Sequence, residues 1–172
     1  MAPRALSAVV IALGLAALVV LARRASLPPT LPPCPSSDAV VFVDTRTRVL
    51  LACEGGQVAH AYRVRLGSAG VGKTREGDRR TPLGAYPLGP PRDSERFGTF
   101  VPVGYPTPAQ AQRGFTGSAI GVHGPPRALL ALGPYLNAFD TTAGCIGLAT
   151  DAEMRELRAW IADRGVDRIE LR

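Results

Sequence analysis

The sequence predicts a mainly β domain with some α structure and one well-defined helix near the C-terminus. The 172 residues include 19 glycines and 16 prolines, a composition that favours many turns and short strands over a helical bundle. Short apolar or alternating runs are separated by turn residues along most of the chain. Only one segment, after Thr150, combines a helix start signal with a helical apolar face.

The chain begins with a segment typical of export. Residues 5–22 form an uncharged apolar run that follows Arg4 and precedes Arg23 and Arg24. A run of about 18 residues fits either a cleaved signal peptide or an N-terminal membrane anchor. Its length and the lack of an A-x-A site after it favour the anchor. We therefore assign residues 1–25 to targeting, and we expect residues 5–22 to provide membrane anchoring if they are retained.

A linker separates this segment from the folded domain. Residues 26–37 read SLPPTLPPCPSS, and a Pro/Ser-rich stretch of this kind is extended and semi-rigid. The predicted domain therefore covers residues 38–172. We expect it on the outer side of the cytoplasmic membrane, in the periplasm or on the cell-wall side.

The first half of the domain predicts a three-stranded meander. Residues 39–43, 49–53 and 57–66 each read as a strand, and short polar or glycine turns separate them. A further short strand is predicted around residues 85–88. Residues 90–118 are rich in glycine, proline and serine, and we expect them to form a long surface loop beside a binding cleft.

The second half predicts a strand, a short helix, a long helix and a closing strand. Residues 118–122 run as a strand into His123, and residues 127–132 form a short apolar helix. Thr150 caps the long helix, where Glu153 completes a capping box and Gly165 is a natural stop. The apolar face of this helix is formed by Met154, Leu157, Trp160 and Ile161. Residues 166–171 form the closing strand.

The charge pattern argues against a nucleic-acid partner. The formal net charge is +6, but 19 of the 20 basic residues are arginines scattered along the sequence. A nucleic-acid interface would require a dense basic run with interleaved aromatic residues, which is missing. Close pairs of Cys and His ligands are also missing, so the sequence predicts no metal site.

Three cysteines leave one thiol unpaired in an oxidising compartment. A Cys34–Cys53 disulfide would tie the linker to the first hairpin and leave Cys145 free. The alternative is that Cys34 and Cys53 are two small buried hydrophobic residues.

Cys145 and His123 are the candidate catalytic residues. A thiol acts as a nucleophile only after losing its proton, and histidine is the side chain best suited to accept that proton near neutral pH. Both residues follow predicted strands, so they could meet at adjacent strand ends. Gly144 permits close approach of a substrate carbonyl, and the backbone N–H groups of Gly144 and Cys145 could form an oxyanion hole. Taken singly, each side chain would more often be structural, Cys145 as a small buried hydrophobic residue and His123 as a hydrogen-bonded histidine.

The motifs around these residues resemble those of the L,D-transpeptidase family. The stretch I-G-V-H-G at residues 120–124 and the stretch T-A-G-C-I-G-L at residues 142–148 are similar to that family's active-site signature. The first hairpin and the stretch K-T-R-E-G-D-R-R-T-P-L-G-A-Y from Lys73 are also similar. The resemblance covers residues 38–172 and implies a β-sandwich or mixed-sheet fold.

The resemblance implies specific roles. Cys145 would be acylated by a peptidoglycan stem peptide, His123 would move the protons, and Gly144 would help to hold the oxyanion. Thr142 and Tyr105 would contact the substrate in the cleft. The resemblance implies no metal and no cofactor, and we expect a monomer.

Two departures from the family pattern leave the reaction open. Ala143 stands where many members carry a second histidine, and Gly147 stands where many carry an arginine for the donor carboxylate. His123 then needs another group to orient it, such as a backbone carbonyl. Transpeptidation is the leading hypothesis. Hydrolysis by an L,D-carboxypeptidase or amidase is the first alternative, and a catalytically silent wall-binding module is the second. A thiol pKa no lower than that of free cysteine would favour the silent module.

Overall fold

The computed structural model describes residues 3–172. The domain contains two β-sheets that pack around one main core, with a long helix covering them. This architecture is mainly β with α, as predicted. The strands are β1 (Val40–Asp44), β2 (Val49–Glu54), β3 (Gln57–Arg63), β4 (Gly84–Pro87), β5 (Arg92–Ser94), β6 (Gly98–Pro102), β7 (Gly121–His123), β8 (Ile146–Gly147) and β9 (Arg168–Leu171). The helices are α1 (Pro3–Ala25), α2 (Pro108–Gln112), α3 (Gly133–Leu136) and α4 (Asp151–Arg164), with a 3-10 segment at Arg127–Leu132.

The larger sheet contains the predicted meander. Its order is β3-β2-β1-β9-β4, and every pair is antiparallel except β1 with β9. β1 and β2 are buried on both faces, which explains why they read as continuous apolar runs rather than alternating ones. β9 lies between β1 and β4, so the C-terminal strand joins β4 to the meander within one sheet.

The smaller sheet holds the candidate catalytic residues, and it corrects one prediction. Its order is β5-β6-β7-β8, with β7 and β8 parallel. Residues 90–118 were expected to be a surface loop, but they supply β5 and β6, and Phe100 and Val101 in β6 are buried. Glycines and prolines at the strand ends hid this short hairpin, because they interrupt any alternating pattern.

Helix α4 confirms the predicted caps and apolar face. The Thr150 side chain accepts a hydrogen bond from the Glu153 N–H, and the Glu153 carboxylate accepts one from the Thr150 N–H. Gly165 ends the helix in the left-handed conformation. Burial of the predicted face removes apolar surface from water, which stabilises the domain. The buried residues of α4 are Met154, Leu157, Trp160 and Ile161.

The linker covers the outer face of the larger sheet. Cys34 is bonded to Cys53 in β2, and Leu31 packs against the same small apolar cluster. Cys145 is the free cysteine. In the part of the chain that the structure describes, no helix combines the length and the apolarity needed to cross a bilayer.

Candidate active site

The pairing of β7 with β8 brings His123 and Cys145 to one side of the smaller sheet. Val122 pairs with Ile146 and His123 pairs with Gly147. The same register places Cys145 beside Gly121, and residues two apart on a strand point to the same face. Ideal strand spacings then put the Cα atoms of His123 and Cys145 roughly 8 Å apart, with both side chains on that face.

Both residues line one open cavity of about 800 Å³. This volume is within the usual range for sites that bind small molecules or peptide segments. One wall is apolar and contains Pro126, Leu129 and Leu136. Phe97, Phe100 and several arginines line other parts of the cavity.

His123 is buried and held in one tautomer. Its ring stacks on Phe97 with 3.8 Å between ring centroids, and its Nδ1 lies 2.6 Å from the Gly124 carbonyl oxygen. A carbonyl oxygen can only accept, so Nδ1 carries the hydrogen and Nε2 has a free lone pair. The pKa of His123 is lowered to about 4, mainly by burial and in smaller part by the positive charges of Arg65 and Arg96, while the hydrogen bond to Gly124 acts in the raising direction. The imidazole is therefore neutral at physiological pH and able to accept a proton.

Cys145 is half-buried and in the thiol form. Its Sγ donates to the Ala119 carbonyl oxygen at 3.4 Å. Burial raises the pKa of the thiol, while the Gly121 N–H and the charges of Arg96 and Lys73 act in the lowering direction. Among the hydrogen bonds of the described residues, none joins the sulfur to His123. The resting pair is therefore neutral thiol and neutral imidazole rather than an ion pair.

In the loop before Cys145, one of the two backbone donors predicted for the oxyanion hole is already hydrogen-bonded. The Gly144 N–H donates to the Thr142 hydroxyl at 3.1 Å, and that hydroxyl donates to the Cys145 carbonyl oxygen at 2.7 Å. The Gly144 N–H is thus already used. Gly144 has a backbone φ of +130°, and a Cβ there would lie 2.7 Å from the Arg80 carbonyl oxygen. Gly144 therefore shapes the loop, and Thr142 fixes it from the cavity wall.

Tyr105 does not line the cavity, so its prediction as a cleft contact is wrong. Its side chain is buried in the main core and packs edge-on against Tyr86. Its hydroxyl donates to the Lys73 carbonyl oxygen at 3.2 Å. The residue instead ties the loop that starts at Lys73 to the core.

Arg65 is a site residue that sequence reasoning missed. Its guanidinium donates to the Asn137 side-chain oxygen and the Leu148 carbonyl at 2.8 Å each, and to the Gly124 carbonyl at 3.3 Å. That last oxygen also accepts from His123, so Arg65 fixes the group that orients the imidazole. Burial lowers the pKa of Arg65 to about 10, while the charge of Glu153 raises it, so the side chain stays positive at neutral pH.

Gly147 makes room for Arg65. A Cβ at position 147 would lie 2.6 Å from the Arg65 Cζ. The backbones of the two residues also exchange hydrogen bonds of 2.9 and 3.0 Å. Gly147, the residue that departs from the expected motif, thus leaves space for the side chain of Arg65, which follows the end of β3.

Residues 38–169 match the L,D-transpeptidase catalytic domain family, YkuD. The chain belongs to this family. The L,D-transpeptidase domain accounts for most of the chain, and the predicted resemblance is confirmed. A search of curated proteins finds no match.

Solved structures share the fold of this L,D-transpeptidase domain. The helical cell shape determining protein Pgp2 from Campylobacter jejuni is 23% identical, with a TM-score of 0.63 over 89% of this chain and 54% of its own. An L,D-transpeptidase from Xylanimonas cellulosilytica is 23% identical, with a TM-score of 0.52 over 83% of this chain and 65% of its own. An L,D-transpeptidase from Stackebrandtia nassauensis is 15% identical, with a TM-score of 0.55 over 89% and 64%. The chain spans about half the length of Pgp2.

Replacing Arg65 with methionine should lower the free energy of unfolding by about 3 kcal/mol. The substitution leaves three buried oxygens without the donor that they share in the native domain. Urea unfolding measures the loss. Arg168→Met is the matched control, because Arg168 makes only an exposed ion pair with Asp38. Equal stability of the two variants would contradict the buried network.

The His123 imidazole should titrate near pH 4. The chain has two histidines, so a His60→Gln variant leaves one imidazole to follow by NMR. The midpoint is expected well below the usual value of about 6.5, because burial disfavours the charged ring. A midpoint near 6.5 in the folded protein would mean that the ring is solvated.

Proposed function

We propose that the domain is a peptidoglycan L,D-transpeptidase that forms an acyl-enzyme on Cys145. The observation that carries the proposal is the shared cavity, in which a free thiol and a neutral imidazole with an open Nε2 lie on one side of β7 and β8. The membership of the chain in the L,D-transpeptidase family supports the substrate class.

The acylation step starts from neutral groups. The Cys145 thiol turns from the Ala119 carbonyl toward Nε2 of His123, which takes the proton as the sulfur attacks the peptide carbonyl. Proton transfer during attack avoids a free thiolate, which burial disfavours. The Cys145 N–H is the remaining backbone donor of the predicted pair for the oxyanion, since Gly144 N–H is bound to Thr142. The tetrahedral intermediate collapses to a thioester, and the leaving amine takes the proton from His123.

The second step sets the reaction type. An acceptor amine attacks the thioester, His123 removes its proton, and the Cys145 thiol is regenerated with a new peptide bond. If water takes the place of the amine, the same residues give a carboxypeptidase or amidase. Pgp2, whose fold is similar, is described as a determinant of helical cell shape. We extend a role in wall remodelling and cell shape to this chain as part of the proposal.

A catalytically silent wall-binding module is the second candidate, and two observations favour it. Burial raises the pKa of the Cys145 thiol, and the sulfur donates to Ala119 rather than to His123. In this alternative the cavity binds wall peptides and the thiol never reacts.

The proposed export of the domain suits either function. Peptidoglycan lies outside the cytoplasmic membrane, and the apolar run at residues 5–22 with its flanking arginines is typical of export or anchoring. We place the domain in the periplasm or on the cell-wall side, held there by the N-terminal segment if it is not cleaved.

Incubation of the protein with purified muropeptides should yield cross-linked dimers or exchanged terminal D-residues. Cys145→Ala should abolish these products, and His123→Gln should reduce their rate by about 10²–10⁴ because the proton acceptor is lost. His60→Gln is the control histidine and should keep the native rate. Mass spectrometry of the products decides between the candidates. Shortened peptides without dimers or exchange would replace transfer with hydrolysis, and unchanged peptides would leave only the silent module.

A further inference from the structure

Among the described residues that line the cavity of Cys145 and His123, several are arginines and none is acidic. Four guanidinium groups reach it, from Arg65, Arg79, Arg92 and Arg96. Arg65 is buried, and its hydrogen bonds go to acceptors of the protein itself. The other three are exposed and lie around the cavity, Arg79 on the loop before β4 and the other two in and after β5.

These three exposed arginines differ from the ion-paired arginines of the domain surface. Within residues 3–172, none of the three makes an ion pair or a side-chain hydrogen bond. Six other arginines pair with carboxylates at 2.5–3.3 Å: Arg48, Arg127, Arg158, Arg164, Arg168 and Arg172. Four more exposed arginines of the domain, Arg46, Arg75, Arg113 and Arg155, likewise make no such contact within the described residues, but they lie outside the cavity lining. The cavity of the candidate nucleophile is distinguished by having three unpaired guanidinium groups around it.

Aromatic rings position two of the three guanidinium groups. The Arg96 Cζ lies 5.1 Å from the Phe97 ring centroid, and the Arg92 Cζ lies 5.0 Å from that of Phe100. Phe97 in turn stacks on His123. A guanidinium over an aromatic face keeps its N–H groups free for a carboxylate, which it binds through two parallel hydrogen bonds.

The loop that carries Arg79 is also fixed. Arg79 has a left-handed backbone, with φ of 58°, and its carbonyl accepts from the Ala69 N–H at 3.1 Å. The neighbouring Asp78 accepts hydrogen bonds from Lys73 and from the backbone N–H groups of Thr74, Arg75 and Arg80. A residue held in this sparsely populated conformation at a cavity wall is typical of a functional position.

We propose that Arg79, Arg92 and Arg96 form a carboxylate-binding subsite that holds an acidic peptide with its scissile carbonyl at Cys145. The apolar wall of Pro126, Leu129 and Leu136 takes the uncharged part of the same peptide. The subsite supplies the carboxylate recognition that Gly147 does not provide. The identification of the peptide as a wall stem peptide rests on the proposed function, whereas the cationic subsite does not.

Alkylation of Cys145 tests the subsite without a substrate. Iodoacetate and iodoacetamide both transfer a two-carbon group to the thiolate with loss of iodide, but only iodoacetate is an anion. Cys34 and Cys53 are disulfide-bonded, so Cys145 is the thiol that reacts. The ratio of the two rates cancels the thiolate fraction, because both reagents require the same thiolate.

In low salt, the iodoacetate-to-iodoacetamide ratio for the folded full chain should exceed that of the urea-unfolded chain about fivefold. Arg79→Gln, Arg92→Gln and Arg96→Gln should each lower the ratio about 1.7-fold, and the triple variant should match the unfolded chain. Arg164→Gln is the control, because Arg164 pairs with Glu54 away from the cavity. A folded ratio equal to the unfolded one, or an equal effect of the control, would overturn the subsite.

A second measurement identifies the ligand. The Cys145→Ala full chain should bind a stem tetrapeptide with free carboxylates at least tenfold more tightly than the same peptide with its carboxylates amidated. The triple arginine variant should remove that difference. Equal binding of both peptides, or binding of neither, would overturn the subsite even if the wild-type chain turns over muropeptides. Carboxylate-dependent binding without turnover would instead leave the subsite standing and remove the proposed catalysis.

Discussion

The register between β7 and β8 is the constraint on which the site depends. Two backbone pairs, Val122 with Ile146 and His123 with Gly147, place a histidine and a cysteine on one face of a small sheet. A slip of one residue would turn one side chain to the opposite face. The surrounding structure holds this register. Ile146 and Val122 are fully buried, and the capped helix α4 begins four residues after the strand.

Backbone groups and one buried arginine orient the histidine. The Gly124 carbonyl accepts from both His123 and Arg65. This one oxygen therefore fixes the tautomer of His123 and the position of the Arg65 guanidinium. Gly147 is the counterpart of this arrangement, since any side chain there would occupy the place of Arg65. The Gly124 carbonyl, held by the buried guanidinium of Arg65, thus orients His123 in place of the missing second histidine.

Burial also sets the electrostatics of the pair. It raises the pKa of the thiol and lowers the pKa of the imidazole, so charge separation is unfavourable before substrate arrives. A reaction in this cavity must therefore couple proton transfer to attack. The exposed arginines act in the opposite direction, because their positive potential favours developing negative charge near the sulfur. Substrate carboxylates bound by them would in turn neutralise part of that potential.

Much of the fold was predictable because its signals are local. The apolar runs of β1 and β2, the Thr150 capping box and the Gly165 stop each depend on neighbouring residues. The β5–β6 hairpin was missed because its strands are short and bounded by glycine and proline. Arg65 was missed because alternation in the predicted strand at residues 57–66 places its side chain on the outward face. The chain leaves the sheet after Arg63, and its pairing with Gly147 across the domain buries the side chain.

One long-range contact and one local contact account for the errors at the site. The Tyr105 side chain lies in the core instead of the cleft. Its hydroxyl donates a hydrogen bond to the carbonyl oxygen of Lys73, which is distant in the sequence. The Gly144 N–H was taken by Thr142, which stands only two residues before it. That contact is local, but the residue types alone do not show whether the Gly144 N–H is bound to Thr142 or free to donate to an oxyanion.

The most direct test of the central claim is intact-protein mass spectrometry after brief mixing of the full chain with a stem tetrapeptide, quenched in acid. The proposed acyl-enzyme predicts a mass increase equal to the peptide minus the free terminal amino acid that acylation releases, mapped by digestion to Cys145. A chain that keeps its unmodified mass while the peptide is consumed, or an adduct on another residue, would contradict it.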